Sequence, residues 1–157
     1  HTFTDSPALP KPAQRPGPPI IIGGRGKHRT PALTARYASE YNTAFCSVEA
    51  ATSAYGRVRE ACEHIGRDPD ELVYSQALVL CVGANEAEVT RRAAAIGRDA
   101  AELRENGAAG TVDEVVAKLI RYRDAGAQRF YLQVLDLSDL DHIALAGAGI
   151  VPQLTAA

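Results

Sequence analysis

Residues 22 to 30 read Ile22-Gly23-Gly24-Arg25-Gly26-Lys27-His28-Arg29-Thr30, a run whose residue types suit the capture of an anion. Glycine permits positive φ and lets a ligand approach the main chain closely. Arg25, Lys27 and Arg29 supply charge-assisted donors. Thr30 is a good N-cap with Pro31 at the first helical position, so the free N–H groups of a new helix would add to the same site. The implied chemistry is binding of a phosphate or carboxylate. The same glycines would also serve simply to turn the chain tightly between a strand and a helix. Two named phosphate motifs are excluded. His28 follows Gly26-Lys27 where a P-loop needs Ser or Thr, and Arg29 occupies the third glycine position of the dinucleotide fingerprint.

Other candidates are single residues. Asn42 can bond a ligand or cap the turn that follows it. Gln133 lies on the last expected strand, where a polar group can be satisfied by its neighbours. His28, His64 and His142 are isolated from one another, and His64 four residues after Glu60 reads as a solvated helix pair, so no metal site is expected. Arg91-Arg92 reads as a solvated helix face. Cys46, Cys62 and Cys81 have spacings that fit neither a disulfide framework nor zinc, and are expected to be reduced, mostly buried thiols in a cytoplasmic protein. Cys46, after a strand end, could line a pocket.

These residues must be positioned by alternating strands and helices. Ile20–Ile22 is the first expected strand, followed by a helix from Thr30 to about Ala38. Tyr41–Phe45 is a second strand, and Ser47 caps a helix reaching Ile65. Leu72–Val82 is the third strand and the most apolar. Asn85 to Glu88 forms a capping box for one helix to Glu105, and Thr111 to Glu114 a second box for a helix to Ala125. Arg129–Leu135 is the fourth strand, and Ser138 or Asp139 starts a last helix. Four strands alternating with helices predict a parallel α/β architecture. Residues 1–19 hold six of the nine prolines and read as an extended connector, leaving 20–157 as the folded part.

Composition narrows the function classes. A net charge of −2 over 157 residues argues against a nucleic-acid partner, and no apolar run is long enough to span a bilayer. The chain holds no methionine, not even at position 1, and is expected to be truncated or processed relative to a start-codon product.

In order and spacing, several segments resemble the luciferase-like monooxygenase family, in particular its branch using the deazaflavin coenzyme F-420. They are Leu9-Pro10-Lys11-Pro12, Pro18-Pro19-Ile20-Ile21-Ile22-Gly23-Gly24, Arg29-Thr30, Ala35-Arg36-Tyr37-Ala38, Asn42, Gly110-Thr111-Val112-Asp113-Glu114-Val115 and Asp124-Ala125-Gly126. The resemblance implies the C-terminal half of a (β/α)8 TIM-type barrel, with Ile20–Ile22 as barrel strand five. It implies hydride transfer or oxygenation of a small organic substrate with F-420 or, alternatively, FMN. It assigns cofactor binding to Ile22, Gly23, Gly24, Arg25, Gly26 and Asn42, and transfers no catalytic residue, because the family's acid/base groups lie largely on early strands. The chain departs from the family at Ser39-Glu40-Tyr41, where an Asp-Gly-Trp-like run is usual, and it lacks the Gln-Ala-Gly-x-Ser pattern of the sulfonate and alkane branch, which weakens the case for FMN. A homo-oligomer or a complementing N-terminal half is the expected partner. The rival expectation is a catalytically silent half-barrel that acts only by assembly.

Overall fold

The sheet is organised around one long strand. Leu78 to Val82 is an uninterrupted apolar run, and strands buried on both faces have that composition. In the computed structural model, which describes residues 2, 4–7 and 9–155, this run lies in β3 (Val73–Gly83), whose residues from Leu78 onward are all buried. Four further strands pair parallel to one another or to it: β1 (Ile21–Gly23), β2 (Glu40–Ala44), β4 (Ala108–Thr111) and β5 (Arg129–Gln133). The order β1-β2-β3-β5 places strands side by side in chain order apart from the short β4, the arrangement of consecutive strands in a β/α barrel.

Beyond Val79, β3 outruns its first neighbours. Main-chain groups of alternate residues point to opposite edges of a strand. Val73 and Ala77 bond toward β2, whereas Tyr74 bonds to Gln128 just ahead of β5. By that alternation β4, in register with Leu80 to Gly83, continues the edge that β2 leaves. On the other edge the N–H of Val82 donates to His142 Nε2 at 3.1 Å, and its carbonyl accepts from Arg92 at 2.9 Å.

The helices are α1 (Arg29–Tyr37), α2 (Val48–His64), α3 (Glu86–Ala95), α4 (Ala100–Asn106), α5 (Val112–Asp124), α6 (Leu140–Gly149) and α7 (Val151–Thr155). Register puts Ile22, Tyr41, Tyr74, Gln76 and Phe130 on one face of the sheet. That face packs against Ala51, Ala54, Tyr55 and Val58 of α2 and Val115, Leu119 and Tyr122 of α5. A smaller core sets Val79 and Cys81 against Val89 and Ala93 of α3 and Leu103 of α4. Residues 9–20 form neither helix nor strand.

Local signals set several ends. Ser47 accepts from Ala50 N–H at the start of α2, and Thr111 with Glu114 forms the expected capping box of α5. Four expectations need correction. Helix α1 starts two residues earlier than the expected Thr30 cap implies, with His28 as its N-cap, which puts Pro31 at the third helical position. The helix expected from Asn85 to Glu105 is two helices, because Gly97 turns into the left-handed region (φ 65°) and Asp99 caps a new start. A fifth strand, β4, stands between the two helices that the capping boxes start, where no element was expected. The last helix is followed by a separate segment, α7.

Candidate functional site

The second face of the sheet carries the polar residues. Gly23, Asn42 and Ser75 lie in register across β1, β2 and β3, and Glu40, Arg129, Tyr131 and Gln133 share their face. Arg129, Tyr131 and Gln133 are exposed or half-exposed there, since no helix covers that part of the sheet. Asn42 donates to Ser75 Oγ at 2.9 Å. The Glu40 carboxylate, 5% exposed, accepts from the Arg129 guanidinium and, at 2.8 Å, from Tyr131 OH.

At the carboxyl end of β1 this face meets the glycine loop. Tyr41, buried on the opposite face, donates its hydroxyl to Gly24 O at 2.6 Å. Burial pushes that phenol's pKa up, with nearby Arg57 opposing. Gly24 N–H donates to Asn42 O at 3.2 Å, so this amide is committed to the fold. Of the three loop glycines only Gly24 lies in the left-handed region, at φ 118°. Gly26 is close-packed for a different reason: a Cβ there would sit 2.5 Å from Thr30 Oγ1, so that hydroxyl would have to move. Pro31 brings no N–H to the start of α1, and Ala32 N–H bonds His28 O at 3.2 Å. The donors left to an anion are therefore the side chains more than the helix end. Arg25, Lys27 and Arg29 have no ion-pair partner among the described residues, and residues 20–39 contain no carboxylate side chain.

Behind the loop, Cys46 is buried. Desolvation raises its thiol's pKa, partly opposed by the Arg25 guanidinium and by Gln76. A raised pKa is the opposite of what a nucleophilic cysteine needs. Thr43 donates to Gln76 and shares hydrogen bonds with Tyr55, whose phenol burial pushes up to about 12. At the end of β2, Phe45 is 44% exposed and held at φ 48°, a conformation rare for an aromatic residue.

The sequence-level candidates thus divide. Gly23, Gly24, Arg25 and Gly26 form one loop, and Asn42 sits beside it on the open face. Ile22 belongs to the opposite, helix-covered face. Gln133 occupies the open face at the far strand. Arg92 is not solvated: it is 6% exposed and forms two bonds to Asp139, at 2.9 and 3.2 Å. His142 is likewise buried. Ser75, Phe45 and the Glu40–Arg129–Tyr131 network were missed, because only the folded sheet brings them to the site. The three cysteines are free, and among the described residues no cluster could hold a metal ion. No helix of the described residues is long and apolar enough to cross a membrane.

The luciferase-like monooxygenase family matches residues 1–107, well over half of the chain. The chain belongs to that family. Among curated proteins no significant match is found. The fold matches the F-420-dependent tetrahydromethanopterin reductase of Methanopyrus kandleri (TM-score 0.70, 14% identity, 85% of this chain and 50% of that one). It also matches the EDTA monooxygenase of Chelativorans sp. BNC1 (TM-score 0.69, 20% identity, 89% of this chain and 47% of that one). A third match is the oxygenating constituent of 3,6-diketocamphane monooxygenase from Pseudomonas putida, in complex with FMN (TM-score 0.65, 15% identity, 87% of this chain and 49% of that one). The chain spans about half the length of these structures, and the sheet is a luciferase-like half of a TIM-type barrel.

Proposed function

We propose that this chain contributes the phosphate-holding side of a luciferase-like oxidoreductase site, with F-420 as the preferred cofactor and FMN as the alternative. One observation carries the reading. A glycine loop with unpaired Arg25, Lys27 and Arg29, and no acid in its segment, stands at the carboxyl end of a barrel strand beside an open polar face. Barrels of this type place their sites at that end.

The donor set fits a phosphate-bearing cofactor. Tyr41 fixes the Gly24 carbonyl and so the path of the loop. Arg25, Lys27 and Arg29 would neutralise the anionic tail. Asn42, oriented by Ser75, and the exposed ring of Phe45 would bound the space above the sheet. When bound, the cofactor supplies the hydride or the electrons for oxygen activation, and the protein's part is to bind and orient it. The substrate is read as a small organic molecule. Strands pairing with the free edges of β1 and β5, from a second copy or a complementing N-terminal half, would close the barrel. Three reduced thiols support a cytoplasmic setting.

The test is titration of the purified chain with F-420 and FMN, followed by fluorescence and native mass spectrometry, alone and with a barrel N-terminal half. Binding that Arg25→Gln weakens supports the reading. Binding indifferent to Arg25 and Lys27 overturns it.

A further inference from the structure

We propose that the groove between α1 and α2, on the outer side of the sheet, is a second ligand site, one for an elongated organic dianion. The inference shares Lys27 with the cofactor reading and otherwise rests on residues of α1 and α2 that the cofactor reading does not use. The groove has a volume of ≈ 710 Å³ and carries Lys27, Arg36 and Arg57 against one carboxylate, Glu60. That size is in the range of small-molecule sites. The excess of cations is notable in a chain whose net charge is −2.

Three details set these cations apart from ordinary solvated charges. Most arginines on α2 to α5 are matched with a carboxylate: Arg59 with Asp70, Arg92 with Asp139, Arg98 with Glu102 and Arg104 with Glu86. Among the described residues Lys27, Arg36 and Arg57 make no such pair. Second, the Arg57 Nε is buried without a hydrogen-bond partner, while its other nitrogens are held by Ser53 Oγ at 2.7 Å and Arg25 O at 3.5 Å. A desolvated, unpaired donor is costly unless a ligand completes it. Third, His28 stands at the N-cap of α1 without making a side-chain cap bond, so its imidazole is available to the groove.

The length of the ligand follows from the helices. Arg29 and Arg36 are seven residues apart on α1, and Arg57 and His64 are seven apart on α2. Seven residues rise about 10 Å. The groove therefore has a cationic upper end at Lys27 and Arg57, beside His28, and a second at Arg36, beside His64. Pro31, Ala32, Ala61 and Ile65 line it between them. An anionic group at each end of an apolar spacer matches this arrangement.

The probe is azelate, a linear dicarboxylate, compared with nonanoate, which has the same chain and one carboxylate. Binding is followed by calorimetry and by amide NMR shifts on the intact chain. Azelate should bind at least about ten-fold tighter than nonanoate, with shifts along α1 and α2. Arg36→Gln and Lys27→Gln should each weaken azelate about five-fold, the upper weight of one exposed charge pair. Glu60→Gln should tighten it, a gain that damaged folding would not produce. Arg25→Gln should weaken F-420 or FMN and leave azelate unchanged, which separates failure here from failure of the cofactor reading. Equal affinity for the two acids, shifts confined to the glycine loop, no binding at millimolar concentration, or Glu60→Gln without effect would each overturn the proposal.

Discussion

Tyr41 and Gly24 are joined across the sheet: the phenol, buried against α2, reaches around the end of β1 and donates to the Gly24 carbonyl at 2.6 Å. The hydrophobic core thus sets the path of the loop that is to hold the anion. Tyr41→Phe keeps the ring packing and removes this bond. It should lower stability by about 1 kcal/mol. Hydrogen exchange at Arg25 and Gly26 should quicken, and cofactor binding should weaken by more than the stability loss explains. Unchanged exchange in the loop would show that Tyr41 does not hold it.

Gly26→Ala should lower the unfolding midpoint, since its Cβ would meet Thr30 Oγ1 at 2.5 Å and force that hydroxyl aside. Thr30→Ala removes that oxygen. The double variant should therefore recover most of the unfolding midpoint that Gly26→Ala loses. If the two substitutions are additive, the clash is relieved elsewhere.

The Val82 clamp should make stability fall in mild acid. His142 Nε2 accepts a hydrogen bond and so must be neutral. Burial first, then the charge of Arg92, lowers its pKa below the ordinary 6.5. The unfolded chain then takes up the proton more readily than the folded one. The stabilisation is complete above about pH 6.5 and is lost as pH falls from there through the lowered value. Asp139 acts in the same direction in a lower window, because its bonds to Arg92 and His142 N–H hold it well below 3.8. His142→Gln should remove the loss near pH 6 in chemical denaturation and leave the loss at lower pH. A profile that His142→Gln leaves unchanged would contradict this.

Glu40 is buried with Arg129 as its countercharge, 89 residues away. Arg129 is half exposed, so the penalty falls on the Glu40 carboxylate: removing its countercharge leaves a buried charge uncompensated, which removing both groups does not. Arg129→Met should lower the urea midpoint more than Glu40→Gln, and the pair Glu40→Gln/Arg129→Met should recover part of it. Tyr131 can still donate to residue 40 in each single variant, to the carboxylate in Arg129→Met and to the carboxamide oxygen in Glu40→Gln.

Phe45 is held at φ 48°. Strain of this kind costs about 1–3 kcal/mol and collects at functional sites. Phe45→Gly should preserve or raise the unfolding midpoint while weakening F-420 or FMN binding. Loss of both would mark the ring as structural.

What was legible from residue order was local. The caps at Ser47 and Thr111 bond residues three positions away, so they act wherever the helix lies. The long apolar run of β3 had no other use than a buried strand, and the glycine loop was marked by its own composition. The rest depended on partners distant in the chain. Strand β4 is made of small residues with little strand preference, and it exists because β3 offers it an unpaired edge. Arg92 looked like half of a solvated pair until Asp139, 47 residues on, enclosed it. Asn42 was a candidate with two possible uses, and parallel register with Ser75 chose neither of them alone, placing it on the open face beside the loop. Short-range hydrogen bonds and periodicity act within a few residues, whereas strand pairing and the enclosure of charge are collective properties of the folded sheet.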